Sequence, residues 1–169
     1  KLEGGVEYIN RILRIVKAGI PVMGHIGLQP QSILKDSGYK IQGKLLKGAL
    51  KIYNDAIALE NAGVFSIVLE GVPQELAKII SKKVKVPTIG IGAGQYCDGQ
   101  IQVFHDLIGS FDSKIPKHAK KYINNYKIIK DALEQYCEEV KNKKFPYKIN
   151  AVKMDSKELI SLRKNIEDI

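Results

Sequence analysis

Five times along the chain a short apolar or small-residue segment stops at a charged residue, an imidazole or a glycine turn, and most of the intervals between carry apolar residues at helical spacing. The segment ends are Lys1-Leu2-Glu3-Gly4-Gly5, Val22-Met23-Gly24-His25-Ile26-Gly27, Val68-Leu69-Glu70-Gly71, Thr88-Ile89-Gly90-Ile91-Gly92-Ala93-Gly94 and Gln102-Val103-Phe104-His105-Asp106. Between them, Val6, Ile9, Leu13 and Val16 fall on one helical face, as do Leu46, Leu50, Tyr53 and Ile57, and then Leu76, Ile79 and Ile80. Alternating β and α segments predict parallel strands joined by right-handed crossovers, with all the strand ends on one rim of the sheet. Residues distant in sequence then face one cavity, and the carboxyl ends of such strands are where α/β proteins build their sites.

The clearest strand is Val64-Phe65-Ser66-Ile67-Val68-Leu69, bounded by Ala62-Gly63 and by Gly71-Val72-Pro73. Pro73 suits the first turn of a following helix. Glu70 stands where this buried run ends. A lone glutamate there would cap the next helix or pair with a lysine; beside four other strand ends of the same design it becomes a candidate working carboxylate.

Length restricts the architecture. A closed (βα)8 barrel takes about 250 residues, whereas this chain has 169 and opens at Lys1-Leu2-Glu3 as if within a strand. The expectation is an α/β fold in which residues 1–112 form the later part of a barrel, about five strands, and residues 113–169 form a helical region packed on the barrel or on a neighbouring subunit. In that region Gly109-Ser110-Phe111-Asp112-Ser113 reads as a loop and Pro116 as a helix start. Ile123, Tyr126, Ile129, Leu133, Tyr136 and Val140 make an apolar stripe that Phe145-Pro146 ends, and Asp155 with Glu158 resembles a capping pair before Leu159, Leu162 and Ile166.

Hydrophobic residues make up 44% of the chain, enough for a sizeable core, and no apolar run approaches the ~20 residues of a membrane helix. Cys97 and Cys137 lack metal-ligand or disulfide-framework spacing, so a reducing, cytoplasmic compartment is expected. The formal charge of +9 invites a nucleic-acid partner. The lysines are spread, however, through Lys35 to Lys51, Lys78 to Lys85, Lys114 to Lys130 and Lys141 to Lys164 with acidic residues interleaved, the pattern of solvated helix faces. His25, His105 and His118 show no shared zinc-like spacing, and a satisfied or surface histidine is the leading expectation for each.

In ordered combination these segments resemble one family, ketopantoate hydroxymethyltransferase, from Lys1 to about Pro146. The resemblance is carried by Lys1-Leu2-Glu3-Gly4-Gly5, Pro21 to Gln31, Gly38-Tyr39-Lys40-Ile41-Gln42-Gly43, Leu69-Glu70-Gly71-Val72-Pro73 with Glu75-Leu76-Ala77, Ile89 to Gly94, Asp98-Gly99-Gln100 and His105-Asp106. Alone, Gly90-Ile91-Gly92-Ala93-Gly94 is no more than a strand-to-loop turn or a generic phosphate cradle.

The resemblance implies a (βα)8 TIM barrel of the phosphoenolpyruvate/pyruvate type. It also implies transfer of a one-carbon unit from 5,10-methylenetetrahydrofolate to 3-methyl-2-oxobutanoate, giving 2-dehydropantoate on the way to pantothenate, with Mg²⁺ chelated by the keto acid. Carried onto matching positions, Glu70 is the proton acceptor, Lys1 and His25 bind substrate, and Glu3 belongs to the metal site. The family's principal metal-binding aspartates have no counterpart here, and a homodecamer is the implied assembly. Chemistry agrees: Lys1 and Glu3, two apart on a strand, share a face, so the cation can meet substrate charge while Glu3 addresses a hard, oxygen-liganded metal. A surface ion pair is the plainer alternative. The competing functions are a carbon-carbon lyase or mutase of the same superfamily, separable by folate dependence, and a basic assembly or nucleic-acid-binding module, separable by salt-sensitive binding to nucleic acid.

Overall fold

The computed structural model describes residues 1–32 and 40–167. Gly38 and Tyr39, part of one of the segments above, lie outside the described residues. Five strands, β1 (Leu2–Glu3), β2 (Met23–Gly27), β3 (Ser66–Glu70), β4 (Thr88–Ile91) and β5 (Gly99–Gln100), form one sheet in sequence order. Every neighbouring pair is parallel. The helices α1 (Ile9–Lys17), α2 (Leu46–Asn61) and α3 (Gln74–Lys83) follow β1, β2 and β3. The β-α order read from the sequence is therefore present, and the sheet is α/β and parallel as expected.

Register sorts the side chains onto two faces. Glu3 is paired with His25, His25 with Val68, Gly27 with Glu70, Val68 with Ile89, and Glu70 with Ile91. Paired residues in a ladder project to the same side, so Glu3, His25, Val68, Glu70, Ile89 and Ile91 share one face. Ile26, Ile67 and Leu69 project to the other, where they are fully buried against Ile12 of α1, Ile52, Ala56 and Leu59 of α2, and Leu76, Ala77 and Ile80 of α3. Each such aliphatic side chain contributes about 1.5–3 kcal/mol on burial, which makes the helix-covered side the stabilising side and frees the opposite face to carry charge.

The helical stripes differ in detail from the periodicity. On α2 the buried residues are Ile52, Asp55, Ala56 and Leu59, with Tyr53 and Ile57 flanking them, while Leu46 and Leu50 are exposed. Ile79 of α3 and Val6 are likewise exposed. These helices carry apolar residues on more than one face, and spacing alone does not tell which face meets the sheet. Asp55 is the unexpected member of the buried set. Its Oδ1 accepts a hydrogen bond from the Val6 N–H at 2.9 Å and its Oδ2 from Lys51 Nζ at 2.8 Å. The carboxylate also fills the space over Gly5, where a Cβ would stand 2.1 Å from Asp55 Cγ.

The fifth strand is a correction. Gln102 to Asp106 does not form it: β5 lies earlier, and Phe104–Ile108 is a short helix, α4, so His105 and Asp106 are helical. The pairing with β4 is set by Asp98, whose Oδ2 accepts from the Thr88 N–H at 2.7 Å and from Thr88 Oγ1 at 2.9 Å. It extends to the Ile101 N–H, which donates to the Gly90 carbonyl. With that register taken, Val103 serves as the extended residue before α4.

Pro116 does not open a helix either. Its carbonyl accepts from the Ala119 N–H, and the Gln102 amide clasps the Lys120 backbone through both its oxygen and its nitrogen. These contacts hold the segment in irregular form, and the helix α5 runs over Asn125–Lys141 instead. Helix α6 (Ser156–Glu167) follows Asp155, whose Oδ1 accepts from the Lys157 N–H at 2.8 Å, a cap of the predicted kind. The apolar stripes of α5 and α6 are exposed, Ile129, Leu133, Tyr136, Leu159 and Ile166 among them. Among the described residues no helix is long and apolar enough to cross a membrane.

Candidate active site

Three parallel strands bring four of the sequence-predicted residues together, two of them, Glu3 and Glu70, at carboxyl ends. β1 places Glu3, with Lys1 just before it; β2 places His25; β3 places Glu70. His25 is the centre of the group and has no solvent exposure at all. Lys1 Nζ donates to His25 Nδ1 at 3.0 Å, and Glu3 Oε1 lies 3.6 Å from the same nitrogen. On the opposite side of the ring, Glu70 Oε2 lies 3.0 Å from His25 Nε2. That distance suits a hydrogen bond, yet Nε2 makes none: the carboxylate approaches too obliquely to the ring N–H. His25 is thus neither on the surface nor fully satisfied.

The backbone around the group is fixed from both sides. The Gly4 N–H donates to the His25 carbonyl at 3.0 Å, and the Gln31 N–H donates to Glu3 Oε2 at 3.1 Å. Lys1, Leu2, Glu3, Tyr8, Arg11 and Gln31 line a cleft of about 250 Å³. Arg11 stacks over the Tyr8 ring at 5.2 Å and adds a second cation beside Lys1. Sequence reasoning passed over Arg11; its polar place on α1, one turn beyond the Glu3-Gly4-Gly5 end, was the available signal.

Glu70 and Glu3 keep most of their surface covered, with side chains 17% and 8% exposed. An anionic substrate would meet the ammonium of Lys1, and the two carboxylates would flank it with acceptors for a proton or a cation. For Mg²⁺ the fit is partial. Among the described residues no group of three or more His, Cys, Asp or Glu side chains is arranged to hold a metal. A hard cation takes six or more oxygen ligands, and Glu3, with one oxygen engaged by Gln31, offers a single donor.

The other two histidines stay outside the group. His105 packs between Phe104 and Phe111 on α4, and His118 lies exposed beside Gly92. Cys97 is half-buried beneath β4, its thiol pushed up by burial, and Cys137 is exposed on α5.

Comparison with known proteins follows the same segments. The family model for ketopantoate hydroxymethyltransferase matches residues 1–148. A protein of Dehalococcoides mccartyi named 3-methyl-2-oxobutanoate hydroxymethyltransferase is 52% identical over 164 residues, 97% of this chain and 59% of the relative. Proteins of the same name from Clostridium botulinum and Acetivibrio thermocellus are 54% and 51% identical over 155 residues, 92% of this chain and 56% and 55% of their own lengths. The chain therefore spans less than two thirds of the length of these curated relatives.

Proposed function

Because the chain belongs to the ketopantoate hydroxymethyltransferase family, we propose that the protein transfers a hydroxymethyl group from 5,10-methylenetetrahydrofolate to 3-methyl-2-oxobutanoate, giving 2-dehydropantoate. The observation that supports this most is the convergence of Lys1, Glu3 and Glu70 on the buried His25. Lys1 pairs with the keto-acid carboxylate. Glu70 accepts the C3 proton, and the electrons of the broken C3–H bond form the enolate. The enolate carbon then bonds to the methylene carbon of the folate as one of its two carbon–nitrogen bonds breaks, and water supplies the hydroxyl as the other breaks. The two freed nitrogens take up the proton held by Glu70 and the one left by water. A positioned base of this kind contributes about 10²- to 10⁴-fold, and the covering of most of the Glu70 side chain limits the bulk water that would compete for the proton.

Mg²⁺, when bound, would withdraw charge from the keto acid and so favour loss of its C3 proton. Glu3 is the residue here that would hold it, together with donors that the described residues do not supply. The sheet is read as an arc of a (βα)8 barrel: helices cover one face, and the other carries the charged group at the carboxyl ends, as the interior of a barrel does. The exposed stripes of α5 and α6 then suit burial against the barrel or a neighbouring subunit of a homodecamer, and the two free cysteines suit the cytoplasm.

The test is proton exchange without carbon transfer. In deuterium oxide with Mg²⁺, the full-length protein should exchange the C3 hydrogen of 3-methyl-2-oxobutanoate and, with methylenetetrahydrofolate added, form dehydropantoate. A protein that binds keto acid and Mg²⁺ but does neither would overturn the assignment.

A further inference from the structure

His25 stands between the two groups that the reaction needs most, with Nδ1 3.0 Å from Lys1 Nζ and Nε2 3.0 Å from Glu70 Oε2. An ammonium group has only protons to give. Nδ1 is therefore the acceptor, and the ring proton resides on Nε2, the atom that faces Glu70. Nε2 is the one buried side-chain nitrogen or oxygen among the described residues left without a hydrogen bond. A buried donor without a partner is costly, and a small rotation of the adjacent carboxylate would relieve it.

We propose that His25 is the positioning residue for Glu70: its Nε2–H, directed there by Lys1 through Nδ1, donates to Glu70 Oε2 and leaves Oε1 to receive the C3 proton. This rests on the reaction proposed above. His25 does not touch the reacting atoms; it fixes which carboxylate oxygen is free and how far that oxygen stands from the lysine that holds the substrate. Binding and proton removal are tied to one another through a single imidazole ring. Its lack of any exposure keeps that ring in one orientation.

The test compares His25→Gln with His25→Asn in the full-length protein. The glutamine amide reaches the place of Nε2, whereas the asparagine amide stops near that of Nδ1. In C3 deuterium exchange, His25→Asn should lose about 10²-fold in kcat, the cost of a misplaced reacting group, with KM for the keto acid little changed, and His25→Gln should recover most of that loss. Nitrogen-15 NMR of wild type should show the His25 ring protonated on Nε2, a preference that Lys1→Met should erase. Should both variants at this buried position unfold, the ring spectra of wild type and Lys1→Met decide. A ring protonated on Nδ1 in active wild type, or His25→Gln no better than His25→Asn, overturns the positioning role alone. A wild type that fails to exchange overturns the reaction and the role together.

Discussion

Glu70 and His25 meet although their backbones are not partners: His25 is paired with Val68 and Glu70 with Gly27, yet Oε2 and Nε2 are 3.0 Å apart. Both project to the same face, two residues out of step. Gly27 lets the backbone of Glu70 approach β2 without a clash. It also adopts φ 94°, and a Cβ there would stand 2.2 Å from the Glu70 carbonyl oxygen.

Gly27→Ala should therefore cost about 1–3 kcal/mol from the left-handed backbone alone, and more from the clash with β3. Urea unfolding measures the first effect. The second should appear as a loss of C3 exchange beyond what a stability loss explains, measured at a temperature where the variant is still folded.

Glu70→Gln keeps the shape of the side chain and removes its ability to accept a proton. Keto-acid binding should persist while exchange falls about 10²- to 10⁴-fold. Lys1→Ala should do the reverse, raising KM with a smaller effect on kcat. Equal exchange by wild type and Glu70→Gln would remove Glu70 from the base role.

Asp98 predicts an acid dependence of stability. The hydrogen bonds from the Thr88 N–H and hydroxyl hold its carboxyl below the usual range. The unfolded chain takes up the proton first, at about pH 3.9, so the contribution is whole above that value and is lost as pH falls through the depressed native value. Asp98 is exposed, and solvent screening limits the effect to about 1 kcal/mol. Urea unfolding of wild type and Asp98→Asn at pH 7 and at pH 2 should show the difference between them shrinking in acid.

The cysteines should separate under alkylation. Burial raises the Cys97 thiol, which lowers the fraction of reactive thiolate. Cys137 is exposed. Peptide mapping after brief iodoacetamide treatment should find Cys137 labelled well before Cys97; the opposite order would contradict the packing beneath β4.

Much of this site could be read from residue order because strand ends in a parallel sheet share a rim whatever their separation in sequence. Lys1 adjoins β1, Glu3 ends it and Glu70 ends β3, so topology alone gathers these three around His25 in the middle of β2. What spacing could not supply was depth. His25 looked like a satisfied histidine, and only the register with Glu3 and Val68 puts its ring at the centre of the charges. The fifth strand was misplaced because Val103 and Phe104 have strong β propensity, whereas Gly99 and Gln100 have little; a carboxylate latch from Asp98 outweighed that preference. Pro116 was outcompeted in the same manner by the Gln102 clasp.

Asp55 was legible in principle, as a charged residue in the buried stripe of Ile52, Ala56 and Leu59. Its consequence is a division of labour across half the chain. The loop that leaves Glu3 is held at Val6 and Gly5 by a carboxylate that lies a full helix and strand away in sequence and makes no contact with the group around His25. In a saturation scan scored on growth without added pantothenate, position 55 should look as intolerant as position 70. Purified variants would separate the two, since a defect at Asp55 displaces the rim on which Lys1 and Glu3 stand, whereas one at Glu70 leaves that rim in place.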